Sequence, residues 1–164
     1  MGDWGLICGE KWVKVANGER MLVGEYEHTI DEKNRLTLPA RFRDSFSGGG
    51  VVTRGMDGCL YAYARQEWQQ VVGSRIGSLD LLSKDDRTLQ RYFFSGAAEF
   101  EPDKQGRIML PAALIQHAKL QKEVVVAGVY DHLEIWDRAA WREQMQEVEG
   151  SAEHVAERLA TRRD

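Results

Sequence analysis

The stretch DEKNRLTLP (Asp31–Pro39) has a close counterpart in DKQGRIMLP (Asp103–Pro111), 72 residues later. Asp31/Asp103, Arg35/Arg107, Leu38/Leu110 and Pro39/Pro111 keep identical offsets, and Gly24 and Gly96 keep the same separation of 72. Past the motif the offset becomes 73 and aligns Gly55/Gly128, Leu60/Leu133, Arg65/Arg138 and Trp68/Trp141, so one loop gained a residue. The chain divides into repeat 1 (25–68), a connector containing a helix (69–95), repeat 2 (96–141) and a helical tail (142–164), preceded by residues 1–20. Two copies are too few for a solenoid, which needs at least three. A pseudo-symmetric pair sharing one core is the remaining arrangement.

Each copy reads as strand, turn, strand, short helix, strand, turn, strand. EYEHTI alternates at the period of a strand, and RLTL is a second short strand. Between them DEKN places Asn34 where the other copy has Gly106, the two residue types that best accept positive φ in a tight turn. Pro39 and Pro111 then sit at an expected first helical position. VVTRG with CLYAY, and EVVVAG with LEIWD, read as paired strands. In the connector, SKDDRTLQRYFFSG has a capping box at Ser83 and Asp86 and an apolar face of Leu89, Tyr92 and Phe93. The tail carries a sparse apolar stripe (Met145, Val148, Val155, Leu159), and Gly150 is its expected break.

Length, composition and charge narrow the function. A chain of 164 residues with 43% hydrophobic and 29% charged residues is globular, and it contains no apolar run long enough to span a membrane. Cys8 and Cys59 are too few and too far apart for a disulfide scaffold and fit a reducing cytoplasm. No enzyme is expected. His28, His117, His132 and His154 lack metal-ligand spacing, and no phosphate loop or nucleophile elbow is present, so neither metal nor cofactor is implied. The net charge of −4 argues against nucleic acid until its distribution is considered. Lys33, Arg35, Arg41 and Arg43 outnumber Asp31 and Glu32 around the first motif, while much of the acid lies in the tail.

The Asp-x-x-x-Arg pair has two readings. Asp can accept backbone hydrogen bonds in the turn and close it by pairing with the Arg, with no further role. The chain would then be a protein-interaction module. Alternatively, Arg35 and Arg107 with Lys33 and Lys104 are DNA contacts, since Arg suits bidentate contact with phosphate or guanine. A single basic turn binds weakly at physiological salt, so this reading needs several turns on a homo-oligomer. Counted along the chain, the first motif has more basic neighbours. That predicts a larger loss of binding from Arg35→Ala than from Arg107→Ala. RNA binding is disfavoured because Tyr26, Tyr61, Tyr63 and Trp136 alternate as core residues would.

The stretches GEYEHTIDEKNRLTLPARFR, TRGMDGCLYAY, EWQQV, RYFFSGAAE, DKQGRIMLPAAL and LEIWD resemble the MraZ family over about 120 of the 164 residues. The resemblance implies a β-rich α+β fold of two SpoVT-AbrB-like halves, a swapped-hairpin β-barrel with a pseudo-two-fold. It implies a ring-like homo-oligomer in the cytoplasm and nucleoid. It further implies a repressor of a division and cell-wall gene cluster, bound to double-stranded DNA at G-rich direct repeats upstream of its own gene. Carried over by position, Arg35 and Arg107 are the motif arginines expected at DNA, with Lys33 and Lys104 in the same motifs, and Asp31, Asn34, Asp103 and Gly106 shape the turns. Arg41 and Arg43 join the expected DNA-binding set from the local basic excess around the first motif. Members usually have Gly where this chain has Asn34. They also begin near Met21, so residues 1–20 are expected to be a non-native or disordered extension. Trp4-Gly5 and Trp12-Val13 each force TGGG in the coding strand, as a translated operator would. Finding Trp4 in the mature protein by N-terminal sequencing would end that reading.

Overall fold

A computed structural model describes the backbone of residues 4–7, 11–14 and 21–162, with side chains over 21–162. Strands β1 (Trp4–Ile7) and β2 (Lys11–Lys14) pair antiparallel. The rest of the N-terminal segment, and with it the expectation of a non-native or disordered extension, lies outside the described residues.

Repeat 1 supplies β3 (Leu22–Thr29), β4 (Arg35–Thr37), α1 (Ala40–Arg43, continued by a 3-10 turn over Asp44–Phe46), β5 (Gly50–Arg54) and β6 (Leu60–Ala64). A helical run follows: α2 (Arg65–Glu67), a π segment (Trp68–Val72) and α3 (Gly73–Arg75). Helix α4 (Lys84–Ser95) crosses to repeat 2, which supplies β7 (Ala98–Phe100), β8 (Arg107–Met109), α5 (Ala112–His117), β9 (Glu123–Tyr130) and β10 (Leu133–Asp137). Helix α6 (Arg138–Thr161) ends the fold.

The strand pairing is what makes two copies one structure. A six-stranded sheet runs β3-β9-β10-β6-β5-β7, and β4 pairs with β8 in a separate ribbon. Exchanging the repeats turns that order into its own reverse. The first strand of each copy therefore pairs inside the other copy: β3 on β9, and β7 on β5. The pseudo-two-fold passes between β6 and β10 and between β4 and β8, where Leu36 lies opposite Ile108. This is the expected β-rich α+β fold with interchanged hairpins. Among the described residues β3 and β7 remain sheet edges, with no ladder joining them.

One core serves both copies. Leu36, Leu38, Phe42 and Phe46 from repeat 1 pack with Ile108, Leu110, Leu114, Val124, Val126 and Ile135 from repeat 2. Burial of large apolar side chains at about 25 cal/mol per Å² is the main stabilising term. The paired glycines Gly55 and Gly128 are close-approach positions. A Cβ on Gly128 would lie 2.5 Å from the backbone of Leu22 and Val23, and one on Gly55 would lie 2.7 Å from the Tyr61 ring.

Three local expectations are corrected, and one helix is new. Pro39 and Pro111 are N-cap residues with ψ of 136° and 142°, one position before the helix proper. This satisfies the rule that no N–H is needed there. The helix over 65–75 was not anticipated. Leu89 of α4 is exposed, while Phe93 is buried and Ser83 caps the helix by accepting from the Asp86 N–H. Gly150 does not interrupt α6, because the cost of about 1 kcal/mol for one glycine is spread over a long run of good helix formers. Asp137 caps α6, Arg138 pairs with Glu123 and Glu27, and the Trp141 indole N–H donates to Glu25 at 2.8 Å. No residue of α6 is buried.

Candidate nucleic-acid interface

The two repeated turns are superposable in their bonding. Asp31 Oδ1 accepts from the backbone N–H groups of Lys33 and Arg35, each at 2.9 Å, and its Oδ2 accepts from Arg35 Nε at 2.7 Å. Asp103 Oδ1 accepts from Gln105 and Arg107 at 2.9 Å, and its Oδ2 from Arg107 Nε at 2.7 Å. Asn34 takes φ of 59° and Gly106 takes φ of 75°. Asn is among the few L-residues that occupy this left-handed region with ease, which is why it can stand in for Gly.

Each turn is also tied to the opposite copy. Leu38 donates its N–H to the Gly106 carbonyl, and Leu110 donates to the Asn34 carbonyl, both at 2.9 Å. The turns are thus fixed to each other by the β4–β8 ribbon and to the core by Leu36 and Ile108.

The Asp–Arg contact uses only Nε, and among the described residues the terminal Nη groups of Arg35 and Arg107 make no hydrogen bond. The carboxylate therefore orients the guanidinium without consuming its outer fork. The turn-closing role and a binding role are compatible in one side chain.

The backbone N–H of Arg35 is the main reason that Asp31 titrates below its usual 3.8, with the Arg35 side chain adding to it. Asp103 is lowered in the same way by Arg107. A carboxyl whose pKa falls on folding stabilises the fold above its unfolded pKa and loses that contribution as pH drops through the folded value. We therefore expect the protein to lose stability as pH falls below 3.8, and Asp31→Asn with Asp103→Asn to flatten that acid limb. Urea midpoints from about pH 6 to about pH 2 would show it. An acid limb identical in the double variant would exclude these carboxyls as its source.

Of the remaining basic residues, only Arg43 departs from where its sequence position suggests. Lys33 and Lys104 are exposed on their own turns, and Arg41 is exposed on α1. Arg43 reaches across to the second turn. Its Nε donates to the Leu38 carbonyl at 3.0 Å and covers Gly106, whose Cβ, if present, would lie 2.5 Å from that nitrogen. Gly106 is buried in consequence, whereas Asn34 is exposed. The matching position in repeat 2 is Ile115, so the first turn receives no such cation. Arg43, counted along the chain with the first motif, therefore adds its charge over the second turn.

Two further residues share the face that carries the arginines. Leu36 and Ile108 point into the core, so their neighbours in each short strand point outward. The register sets Arg35 opposite Met109 and Thr37 opposite Arg107. Strand alternation in RLT and RIM was the available signal, but only with the knowledge that these strands pair.

Among the described residues no group of His, Cys, Asp or Glu could hold a metal ion, and no helix is long and apolar enough to cross a membrane.

Comparison with known proteins gives a consistent result. The family described as "MraZ protein, putative antitoxin-like" matches twice, over residues 21–92 and 93–163. The chain is similar to the transcriptional regulator MraZ of Heliobacterium modesticaldum, with 46% identity over 139 residues, 85% of this chain and 96% of the relative. It is 44% identical, with the same coverage, to the transcriptional regulator MraZ of Thermoanaerobacter sp. strain X514. It is 43% identical to that of Caldicellulosiruptor saccharolyticus, again over 85% of this chain and 96% of the relative.

Proposed function

The chain belongs to the MraZ family, and from that premise we propose that it is a DNA-binding transcriptional regulator that represses its own gene cluster. The observation carrying this reading is the pair of identically bonded turns, each with an Arg whose outer nitrogens are unspent among the described residues, held on one ribbon. Lys33, Arg35, Lys104 and Arg107 with Arg43 meet double-stranded DNA, and Arg41 lies at the margin. The target is a set of G-rich direct repeats upstream of the gene. Arg is the side chain that takes guanine N7 and O6 as a pair.

The protein acts as a homo-oligomer, arranged as a ring. A single ribbon neutralises few phosphates, and repeated contacts raise the effective concentration of each further one. The acidic tail helix carries its negative charge on a separate element, so the net charge of −4 does not oppose binding at the turns. Such a regulator works in the cytoplasm, at the nucleoid, and needs no catalytic centre.

The test is fluorescence anisotropy with DNA upstream of the Met21 codon, over a salt series, beside a scrambled duplex and the Arg35→Ala and Arg107→Ala proteins. Selective binding with a log–log salt slope of about −0.9 per contacted phosphate, weakened in both variants, is expected. Binding no tighter than to the scrambled duplex would leave the turns as hairpin locks and direct attention to α6 as a site for a protein partner.

A further inference from the structure

The ribbon that holds the arginines presents more than arginines. Met109 is 63% exposed, and Arg35 lies directly opposite it. Arg107 lies two positions before Met109 on the same strand and the same face. Cross-strand geometry puts the two arginines on a diagonal of roughly 7–8 Å, with Thr37 and Met109 on the other diagonal. Single exposed apolar residues are ordinary. An unbranched apolar side chain flanked by two oriented guanidiniums on a two-stranded ribbon is a different matter. The major groove of B-DNA admits such a ribbon, and the C5-methyl of thymine is the apolar feature that base pairs display there.

We propose that the outward face of the β4–β8 ribbon enters the major groove, and that Met109 is a specificity-determining residue that packs on a thymine methyl. This inference rests on the DNA-binding reading above. It adds a contact that neither the Asp-x-x-x-Arg pattern nor phosphate attraction supplies. It also gives the ribbon a direction. The pseudo-two-fold exchanges Thr37 with Met109, and a strictly two-fold face would dock equally well in two opposite orientations. Met109 extends further than Thr37 and carries no hydroxyl, and Arg43 covers only the second turn. The face is therefore polar along the DNA. A polar reader suits sites repeated head to tail, where each copy must sit the same way round.

The experiment compares the full chain with Met109→Ala and Met109→Leu on the DNA upstream of the Met21 codon. Each thymine is replaced in turn by deoxyuridine, at the same place in every repeat, which deletes the methyl and nothing else. One such replacement should weaken the unmodified protein by about fourfold per contacted methyl, the equivalent of one lost methyl-sized apolar contact. Met109→Ala should bind more weakly, lose its sensitivity to that uracil and keep the same salt slope, because no phosphate contact is removed. Met109→Leu should retain the sensitivity. A protein that binds its DNA selectively but ignores every uracil replacement, or a Met109→Ala variant as sensitive as the parent, overturns the Met109 assignment alone. Equal binding to the upstream and scrambled duplexes overturns the DNA-binding reading and this inference with it.

Discussion

Leu36→Ala is expected to destabilise the protein by about 2–5 kcal/mol, and Ile108→Ala by a similar amount. Both side chains have no exposed surface, and they face each other where the pseudo-two-fold crosses the ribbon. Each deletion removes transfer free energy and leaves a cavity, because the ribbon is pinned on both sides by turns bonded to the opposite copy. The double variant should not equal the sum of the singles, since the two cavities merge and contacting residues couple by about 0.5–3 kcal/mol. Urea unfolding followed by tryptophan fluorescence would measure this. It should also show one transition, because the interchanged strands leave neither repeat a complete sheet of its own. Two separate transitions, or a loss below about 1 kcal/mol for either single variant, would mean that the copies fold independently.

That interchange explains what could be read from the chain and what could not. Element types were legible because they depend on neighbours in sequence. Alternation marked β3, Ser83 and Asp86 marked the start of α4, and Asn34 and Gly106 marked the turns. The pairing of β5 with β6 and of β9 with β10 was legible because short turns leave no other partner. The pairing of β3 with β9, of β7 with β5 and of β4 with β8 joins residues more than 45 positions apart, and no local signal specifies it. The repeat itself was the only pointer, since equal halves with exposed first strands complete each other most simply by exchange. The helix over 65–75 went unread because its middle is a π segment, which breaks the 3.6-residue spacing.

The site shows the same division. Asp31 with Arg35, and Asp103 with Arg107, are four apart, and their bonding could be anticipated. Arg43 could not be assigned, because its place against Gly106 depends on which copy lies beneath α1. Met109 was invisible for the same reason. It is an unremarkable residue until β8 is known to pair with β4 and to bury Ile108.

The relocation of Arg43 yields the second large expected effect. Arg107→Ala should weaken binding to the upstream DNA at least as much as Arg35→Ala, reversing the order that the linear charge count predicts. Each loss should be about tenfold or more per protomer contact, the value of a good bidentate guanine pair being about 1–3 kcal/mol. Arg43→Ala is the discriminating variant. Its guanidinium lies over the turn that carries Arg107, so Arg43→Ala and Arg107→Ala should be non-additive, with a coupling of at least about 0.5 kcal/mol. Arg43→Ala and Arg35→Ala act on separate turns and should add within about 0.5 kcal/mol. If Arg43 contacts phosphate, its removal also lowers the salt slope by about one. Folding is a separate readout. Arg43→Ala removes one hydrogen bond to the Leu38 carbonyl, worth about 0.5–1.5 kcal/mol, too little to unfold the chain. Circular dichroism and the urea midpoint would establish that the binding loss is not a folding loss. Additivity with Arg107→Ala and coupling to Arg35→Ala would place Arg43 with the first turn, as its sequence neighbours suggest. The asymmetry between the turns would then have to come from Asn34 and Gly106 alone.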